Sequence, residues 1–485
     1  VTLSRKVTGA EELKEPVSSP GSMILEAIPL CPGGGNVKRD NFLLFQGVGK
    51  MQVLVDVFEE MTSFDWLYEA YRNARMQKRY RLEIAIFSRD LDGHLLEIQA
   101  ALREGRFKFG PYRRLWVYIP KKRIVMALPF DSRIVQWAIY MMLMPFYDRL
   151  MIEDSFACRP GKGSIKAVWR LQYWIRLVQY KEGTQWYYIK IDVSKYFYRV
   201  DHKLLYQVLG ERVKDERLMA LLWTIIQCED ERFGLPRFKG PADVLDWEWL
   251  ADVGMPIGNL TSQLFANIFL DVLDQFCKHV LHIRFYIRYM DDIIIIAPGK
   301  EVAVLWLEQV KTFMWERLRL DVNKKTQIRP LNGQPVEFVG YMVRPGSLKL
   351  RKQTIKHIKR SWREICRLYF AGELTREDLD RRIESYKGLI SNCENENLCK
   401  RLNEIYLQEK QKMKTHIAEL CALVELQSSI IVRQAAALAQ VDASVDGLEE
   451  DLNAAREQYT RLVGGPAEEP KTEEKEETAT DGRVF

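Results

Sequence analysis

Three aspartates carried by two β-rich runs are the residues best suited to chemistry. Asp192 stands in Ile191-Asp192-Val193-Ser194-Lys195-Tyr196-Phe197, at the end of a run over residues 186–193. Asp291 and Asp292 interrupt a second run over 285–297, as Tyr289-Met290-Asp291-Asp292. Unpaired charge inside a sheet is costly, so the Asp-Asp pair belongs at a hairpin tip between two strands. Adjacent acids alone usually mark only a solvated turn. Joined by a second strand-borne acid, they supply what phosphoryl transfer by two metal ions needs: carboxylate oxygens from separate strands converging on one point. Ions about 3.5–4 Å apart there activate an attacking hydroxyl and stabilise a leaving oxygen.

Between these segments lies Gly254-Met255-Pro256-Ile257-Gly258-Asn259-Leu260-Thr261-Ser262-Gln263, followed by a helical pattern through Leu264, Phe265, Ile268 and Phe269. A Gly-rich turn entering a helix lets backbone approach a ligand closely, although in isolation it reads as readily as a loop cap. Lys324-Lys325-Thr326 and Val336-Glu337-Phe338-Val339-Gly340-Tyr341 follow downstream. In this order the segments resemble the palm of reverse transcriptases, and the similarity runs over about residues 60–405.

Within the retron and group II intron-like superfamily, residues 257–263 look like the Gly-x-x-x-Ser-Gln form of reverse transcriptases from diversity-generating retroelements. Most relatives carry Leu-Pro-Gln-Gly and end in Ser-Pro. Residues 127–136 (Ala-Leu-Pro-Phe-Asp-Ser-Arg-Ile-Val-Gln) and 156–164 (Phe-Ala-Cys-Arg-Pro-Gly-Lys-Gly-Ser) are similar to that family's fingers. Tyr386-Lys387-Gly388, with Asn397 and Leu398, resembles its thumb. No intron-maturase zinc or endonuclease pattern follows the thumb.

The resemblance implies roles position by position. Asp192 and Asp291 would ligate two catalytic Mg²⁺ ions, with Mn²⁺ as a substitute, and Asp292 would be a second acid at the hairpin. Phe197, five residues past Asp192, would be the steric gate against a ribose 2′-hydroxyl; taken alone it reads as core packing. Lys121, Lys122 and Arg123 lie where fingers residues grip the triphosphate, Arg123 first among them because it directly precedes a strand. Lys324 or Lys325 would protonate departing pyrophosphate. Gly258 and Gln263 would line the dNTP site. Tyr289, Met290, Phe338, Gly340 and Tyr341 would touch the primer. Ile257 stands where most relatives have Gln beside the nascent pair. An aliphatic side chain forms no hydrogen bond there, so the implied consequence is lower fidelity, chiefly opposite template adenine.

The elements that must carry these residues are legible around them. Helical spacing occupies residues 53–106, with Phe64, Leu67, Tyr68 and Tyr71 and then Leu95, Ile98 and Leu102 in phase. Strands are predicted at 114–119 and 123–128, and helices at 132–150 and 169–179. Beyond Arg351, Lys352, Lys356, Lys359, Arg363 and Arg367 share one helix face, which is either a solvated surface or a stripe that tracks a phosphate backbone. Residues 417–462 fit a heptad frame. Its a positions are Ile417, Val424, Ile431, Leu438, Val445, Leu452 and Tyr459; its d positions are Leu420, Gln427, Gln434, Val441, Leu448, Ala455 and Leu462. That pattern predicts a coiled coil or a long helical hairpin, with the two Gln at d setting register.

Composition bounds the rest. The 485 residues suit two to four domains. No uninterrupted apolar run nears the roughly 20 residues of a bilayer span, so the expectation is no membrane insertion. The eight cysteines are scattered without Cys-x-x-Cys spacing, which predicts free thiols, mostly small buried apolar groups, and a reduced cytoplasmic compartment; the resemblance implies a bacterial or phage-encoded protein. Residues 411–485 carry a net −7 against +13 for residues 1–410, and a basic body suits a polyanion partner.

The sequence therefore predicts an α+β right-hand polymerase with fingers, a palm with an antiparallel sheet, a helical thumb and a C-terminal coiled coil. The expected division is a poorly ordered leader (1–50), fingers (51–185), palm (186–345), thumb (346–410), coiled coil (411–463) and disordered acidic tail (464–485). The family implication is an RNA-directed DNA polymerase that copies a template-repeat RNA, from a DNA or RNA primer and dNTPs, into adenine-mutagenised cDNA. It would work with a small basic accessory protein, and the heptads would serve self-association or a partner. The competing readings are an antiphage defence reverse transcriptase and, from another class, a non-enzymatic RNA-binding scaffold.

Overall fold

The computed structural model describes residues 52–117, 123–179, 181, 183–228, 231–241, 243–393 and 396–463. The predicted leader, the acidic tail, Lys121 and Lys122 lie outside these residues, and of Arg123 only the backbone is described.

Four short helices come first among the described residues: α1 (Phe58–Met61), α2 (Phe64–Ala74), α3 (Leu82–Phe87) and α4 (Leu91–Arg103). The Ser63 side chain caps α2 by accepting from Trp66 N–H. The predicted helical stretch 53–106 is thus real but broken into pieces, because Arg-, Lys- and Gln-rich residues 75–81 offer no apolar face to bury. Strands β1 (Arg113–Val117) and β2 (Arg123–Ala127) pair antiparallel, and α5 (Phe130–Leu150) and α6 (Ser164–Gln179) follow. Next come β3 (Tyr187–Asp192), α7 (His202–Arg212), α8 (Glu216–Gln227) and α9 (Leu260–Gln275). The hairpin β4 (Tyr286–Tyr289) and β5 (Asp292–Ala297) leads to α10 (Lys300–Leu318) and β6 (Gln327–Pro330). A small sheet of β7 (Val336–Phe338), β8 (Tyr341–Val343) and β9 (Leu348–Leu350) precedes α11 (Lys352–Phe370), α12 (Arg376–Ile390) and α13 (Glu396–Val463).

The central sheet has the order β4-β5-β3-β6, all antiparallel. Strand side chains alternate faces, and here both faces are covered. Ile189, Ile191, Ile293 and Ile295 enter one core with α5, α9 and α10; Tyr188, Ile287, Ile294 and Ile296 enter a second with α6, the small sheet, α11 and the start of α13. Burial on both sides explains why 293–296 is an unbroken run of isoleucine rather than an apolar-polar alternation.

The heptad segment is neither a hairpin nor a separate element. It is the continuation of α13, a single 68-residue helix whose first turns dock Leu398, Leu402 and Ile405 into the second core. Its described heptad side chains are exposed, Ile417 at 52% and Leu438 at 66%. By length and composition α13 is the one helix among the described residues apolar enough to cross a membrane, even though scattered polar residues keep any uninterrupted apolar run within it short. No described cysteine is in a disulfide, as expected, but only Cys277 and Cys366 are buried; Cys158, Cys399 and Cys421 are exposed, contrary to the expected burial.

Candidate active site

The strand register sets the site. β3 pairs with β5 so that Asp192 lies directly across from Asp292, and Tyr289 faces Asp292 from β4. Met290 and Asp291 form the two-residue turn between β4 and β5. Met290 adopts a left-handed conformation (φ 56°), and Val193 N–H donates to Asp291 O at 3.3 Å, tying the turn to the end of β3. Three aspartates separated by about a hundred positions in the chain therefore meet at one end of the sheet.

Asp292 is about a quarter exposed, and its Oδ1 is a buried oxygen without a hydrogen-bond partner. Desolvation pushes its carboxyl up to about 6; Lys190 and the Val339 backbone N–H pull it down in part, and the Asp291 and Asp192 charges raise it. Lys190 Nζ stands 4.0 Å from Asp292 Oδ2 and donates to Glu337 O at 2.9 Å. Lys190 was not predicted. The available signal was its place two residues before Asp192, which puts both side chains on one face of β3.

An orphaned acidic oxygen beside two further carboxylates is the donor set that hard divalent cations take. Among the described residues no three His, Cys, Asp or Glu side chains are already gathered closely enough to hold a metal ion.

Several segments that carry predicted dNTP residues are bonded to one another. Phe197 lies half-buried in a short 3₁₀ turn (Tyr196–Tyr198), and Met255 N–H donates to Phe197 O at 2.7 Å, so the Gly loop is bonded to the turn that carries the predicted gate. On its other side Ile257 O accepts from Met126 N–H of β2 at 2.7 Å. Gly258 has φ +118°, and a Cβ there would sit 2.6 Å from Val125 Cγ1 and 2.9 Å from Met126 O. This position needs glycine both for its backbone and for the close approach of β2. Ile257 is half-buried beside it, and Gln263 is half-buried on the first turn of α9. Asn259, also unpredicted, donates to Tyr112 Oη at 2.6 Å and ties the loop to the residue just before β1.

Lys324 and Lys325 are exposed on a turn that hangs from β3: Asn323 N–H donates to Asp192 O at 2.7 Å. Phe338 and Tyr341 are core side chains, 0% and 4% exposed, so neither can grip a primer directly as expected; pleat alternation turns both inward. The accessible part of that segment is the turn Val339-Gly340, next to Asp292. On α11, Lys352, Lys356, Arg363 and Arg367 are exposed and Lys359 half-buried, about a third of a turn from the buried face of Ile358, Trp362, Ile365 and Cys366. Arg367 is paired with Glu364 at 2.8 Å, and Arg363 lies 3.9 Å from Glu409.

Comparison with known proteins follows the same lines. Residues 119–343 match the family "Reverse transcriptase (RNA-dependent DNA polymerase)". The chain is similar to a putative COX1/OXI3 intron 2 protein of Saccharomyces cerevisiae, 25% identical over 52% of this chain and 35% of that protein. It is also similar to the group II intron-encoded protein LtrA of Lactococcus lactis, 20% identical over 60% and 57%, and to protein YkfC of Escherichia coli, 28% identical over 48% and 66%. It thus spans about a third to two thirds of the length of these relatives. Among solved structures, telomerase from Candida albicans with a TWJ fragment of telomeric RNA aligns over 64% of this chain and 55% of that one, at 12% identity and a TM-score of 0.37. Apo telomerase from Candida tropicalis aligns over 63% and 62%, at 11% identity and a TM-score of 0.38.

Proposed function

We propose that the reverse transcriptase domain carried by this chain, the domain of an RNA-directed DNA polymerase with group II intron-type homologues, extends a primer on an RNA template with dNTPs. The observation that carries the reading is the pairing of Asp192 with Asp292 across β3 and β5, with Asp291 on the adjoining turn and the Gly loop bonded to both the fingers strand and the Phe197 turn.

Members of this family generally use divalent metal ions. Asp192, Asp291 and Asp292 would hold them, with Mg²⁺ as our assignment, and when bound they supply charge neutralisation and an activated primer 3′-hydroxyl. The protein's own groups do the rest. Arg123 and the Lys121-Lys122 pair would bind the triphosphate, Phe197 would exclude a ribose 2′-hydroxyl, and Lys324 or Lys325 would give a proton to the departing pyrophosphate. Lys190 holds Asp292 against the sheet. The exposed Lys352 and Lys356 and the neighbouring Lys359 would track a nucleic-acid backbone, so template affinity should fall steeply with salt.

The finer reading is error-prone copying of a template repeat, with a small basic accessory protein holding the RNA. It is supported by the residues around Ile257 and by the Ser262-Gln263 ending of the loop. Primer extension on RNA with Mg²⁺, followed by sequencing of the product, tests both levels. The parent should extend and Asp291→Ala should not; equal product from both defeats the polymerase reading. Ile257→Gln should lower errors opposite adenine, and an unchanged error spectrum defeats the role given to Ile257 alone.

We also propose that α13 pairs in parallel with a second copy of the chain. In that register Gln427 and Gln434 meet their own counterparts, where the amides can bond each other, and Asp451 at g faces Arg456 at e of the other copy. Leu398, Leu402, Ile405 and the buried Glu409, the strip docked on the body, lie about a quarter turn from the a/d stripe. The two bodies would then sit on opposite sides of the pair. Glu425 and Arg433 within the most apolar part of the helix argue against lipid as the occupant.

A further inference from the structure

Arg288 heads the large side chains that are fully buried among the described residues. It sits on β4 between Ile287 and Tyr289, three residues before Asp291. A guanidinium in a core needs an acceptor for each of its five N–H groups, and here each has one. Nε donates to both oxygens of Asp274 (2.8 and 2.9 Å), and Nη2 donates to Asp274 Oδ2 (2.6 Å) and Asn267 O (3.3 Å). Nη1 donates to Asn267 Oδ1 and to Met290 O, both at 3.1 Å.

We propose that Arg288 is the positioning residue for Asp291, holding the strained turn from which the Asp291 carboxylate projects; the inference rests on the polymerase reading above. The argument starts from Met290. Its left-handed backbone costs a non-glycine residue about 1–3 kcal/mol and persists only where the surroundings over-determine it. Arg288 Nη1 holds Met290 O from below, and Val193 N–H holds Asp291 O from β3. Those two carbonyls belong to the peptide groups on either side of the Asp291 Cα. With both planes held, the direction of its Cα–Cβ bond is set by the core rather than by the turn.

Arg288, through its guanidinium and its backbone, also ties neighbouring segments together. Asn267 and Asp274 lie on α9, the helix that the Gly loop enters. Asn267 Nδ2 donates to Ala157 O at 2.7 Å, while Arg288 N donates to Asp154 O and Phe156 N to Arg288 O, both at 3.0 Å. Tyr286 Oη donates to Asp274 Oδ1 at 2.6 Å. Helix α9, the 154–157 segment and the acidic turn are thus referenced to one residue.

Stability alone does not account for such a cluster, since well-packed apolar residues in place of a buried ion pair are often neutral or stabilising. A planar fork that fixes bond directions does account for it. The decisive experiment compares the full-length parent with the triple variant Arg288→Met, Asp274→Leu, Tyr286→Phe, which removes the cation, its counter-ion and the hydroxyl that would be orphaned. A second variant, Arg288→Lys, keeps charge opposite Asp274 without a fork that reaches Met290 O.

Both variants should melt within a few degrees of the parent. Both should lose about 10- to 100-fold in kcat for primer extension, the scale of a small misplacement of a reacting group. The Mg²⁺ concentration for half-maximal rate should rise severalfold, while KM for dNTP changes less than twofold, a split that loose core packing would not produce. Folded variants with the parent's kcat and Mg²⁺ dependence overturn the proposal, and so does collapse of both variants, which would make the pair an ordinary core requirement. An inert parent would defeat the polymerase reading and this inference with it, whereas an active parent with unaffected variants defeats the inference alone.

Discussion

Asp292 shows how much of this site is decided by the surroundings of one side chain. Its carboxyl is pushed up to about 6 from an ordinary 3.8 chiefly because burial penalises the charge. The direction has a thermodynamic consequence. Below about pH 4 the group is neutral in both folded and unfolded chains and costs nothing. Between about 4 and 6 the unfolded chain ionises first, so folding stability drains away as pH rises, and above about 6 the full cost is present. Discounted for partial exposure, that cost amounts to about 2 kcal/mol. In chelator, Asp292→Asn should therefore raise the melting temperature at pH 8 and leave it nearly unchanged at pH 4. Equal effects at both pH values in thermal melts would show that burial does not penalise the ionised carboxyl. Millimolar Mg²⁺ at pH 8 should stabilise the parent more than the Asn variant, because the ion compensates the same charge.

At the level of elements, the register of β3 against β5 and the contact of β2 with the Gly loop do the positioning. Gly258→Ala tests the second. Its Cβ would meet the Met126 carbonyl, which belongs to a strand and cannot swing aside, and the φ of +118° is strained for any L side chain. The expected outcome is a loss of about 1–3 kcal/mol in stability. KM for dNTP should rise severalfold as β2 separates from the loop, while Asp291-dependent chemistry on bound dNTP is less affected. Steady-state kinetics with varied dNTP reads this directly, and an unchanged KM would mean that β2 and the loop are not coupled in the working enzyme. β2 was legible in the sequence because Ile124, Val125 and Met126 favour a strand. Its partner across the Gly loop was not, since a backbone hydrogen bond from Met126 to Ile257 leaves no trace in residue type.

For the whole molecule the open surface is α13. Among the described residues six apolar a positions (Ile417, Val424, Ile431, Leu438, Leu452 and Tyr459) are exposed along the helix, a large unpartnered face. If a second copy covers it, full-length protein at micromolar concentration should have the mass of a dimer by light scattering, and Ile431→Asp with Leu438→Asp should halve that mass. A monomeric parent overturns the pairing, and co-flotation of the parent with neutral lipid vesicles would assign the face to a bilayer instead. Because the pairing face lies beyond the docked turns of α13, the double variant should extend primers at the parent's rate.

The order of the acids, the Gly loop and the apolar helices could be read from the chain alone, because chemistry needs particular residue types and amphipathic spacing is a local property. The four-isoleucine run, the hairpin-tip placement of Asp291 and the extent of the heptads followed for the same reason. What the chain could not disclose is every relation set by long-range pairing. Asp192 facing Asp292, Phe338 and Tyr341 turning into the core, and the continuity of the heptads with the docked turns of α13 all depend on which surfaces meet. Arg288 is the clearest case: in the sequence it is a stray charge in a strand, and only folding brings Asn267 and Asp274 of α9 and the Met290 carbonyl into place as acceptors for its guanidinium. Partners far apart along the chain are chosen by packing, and packing exists only once the chain has folded.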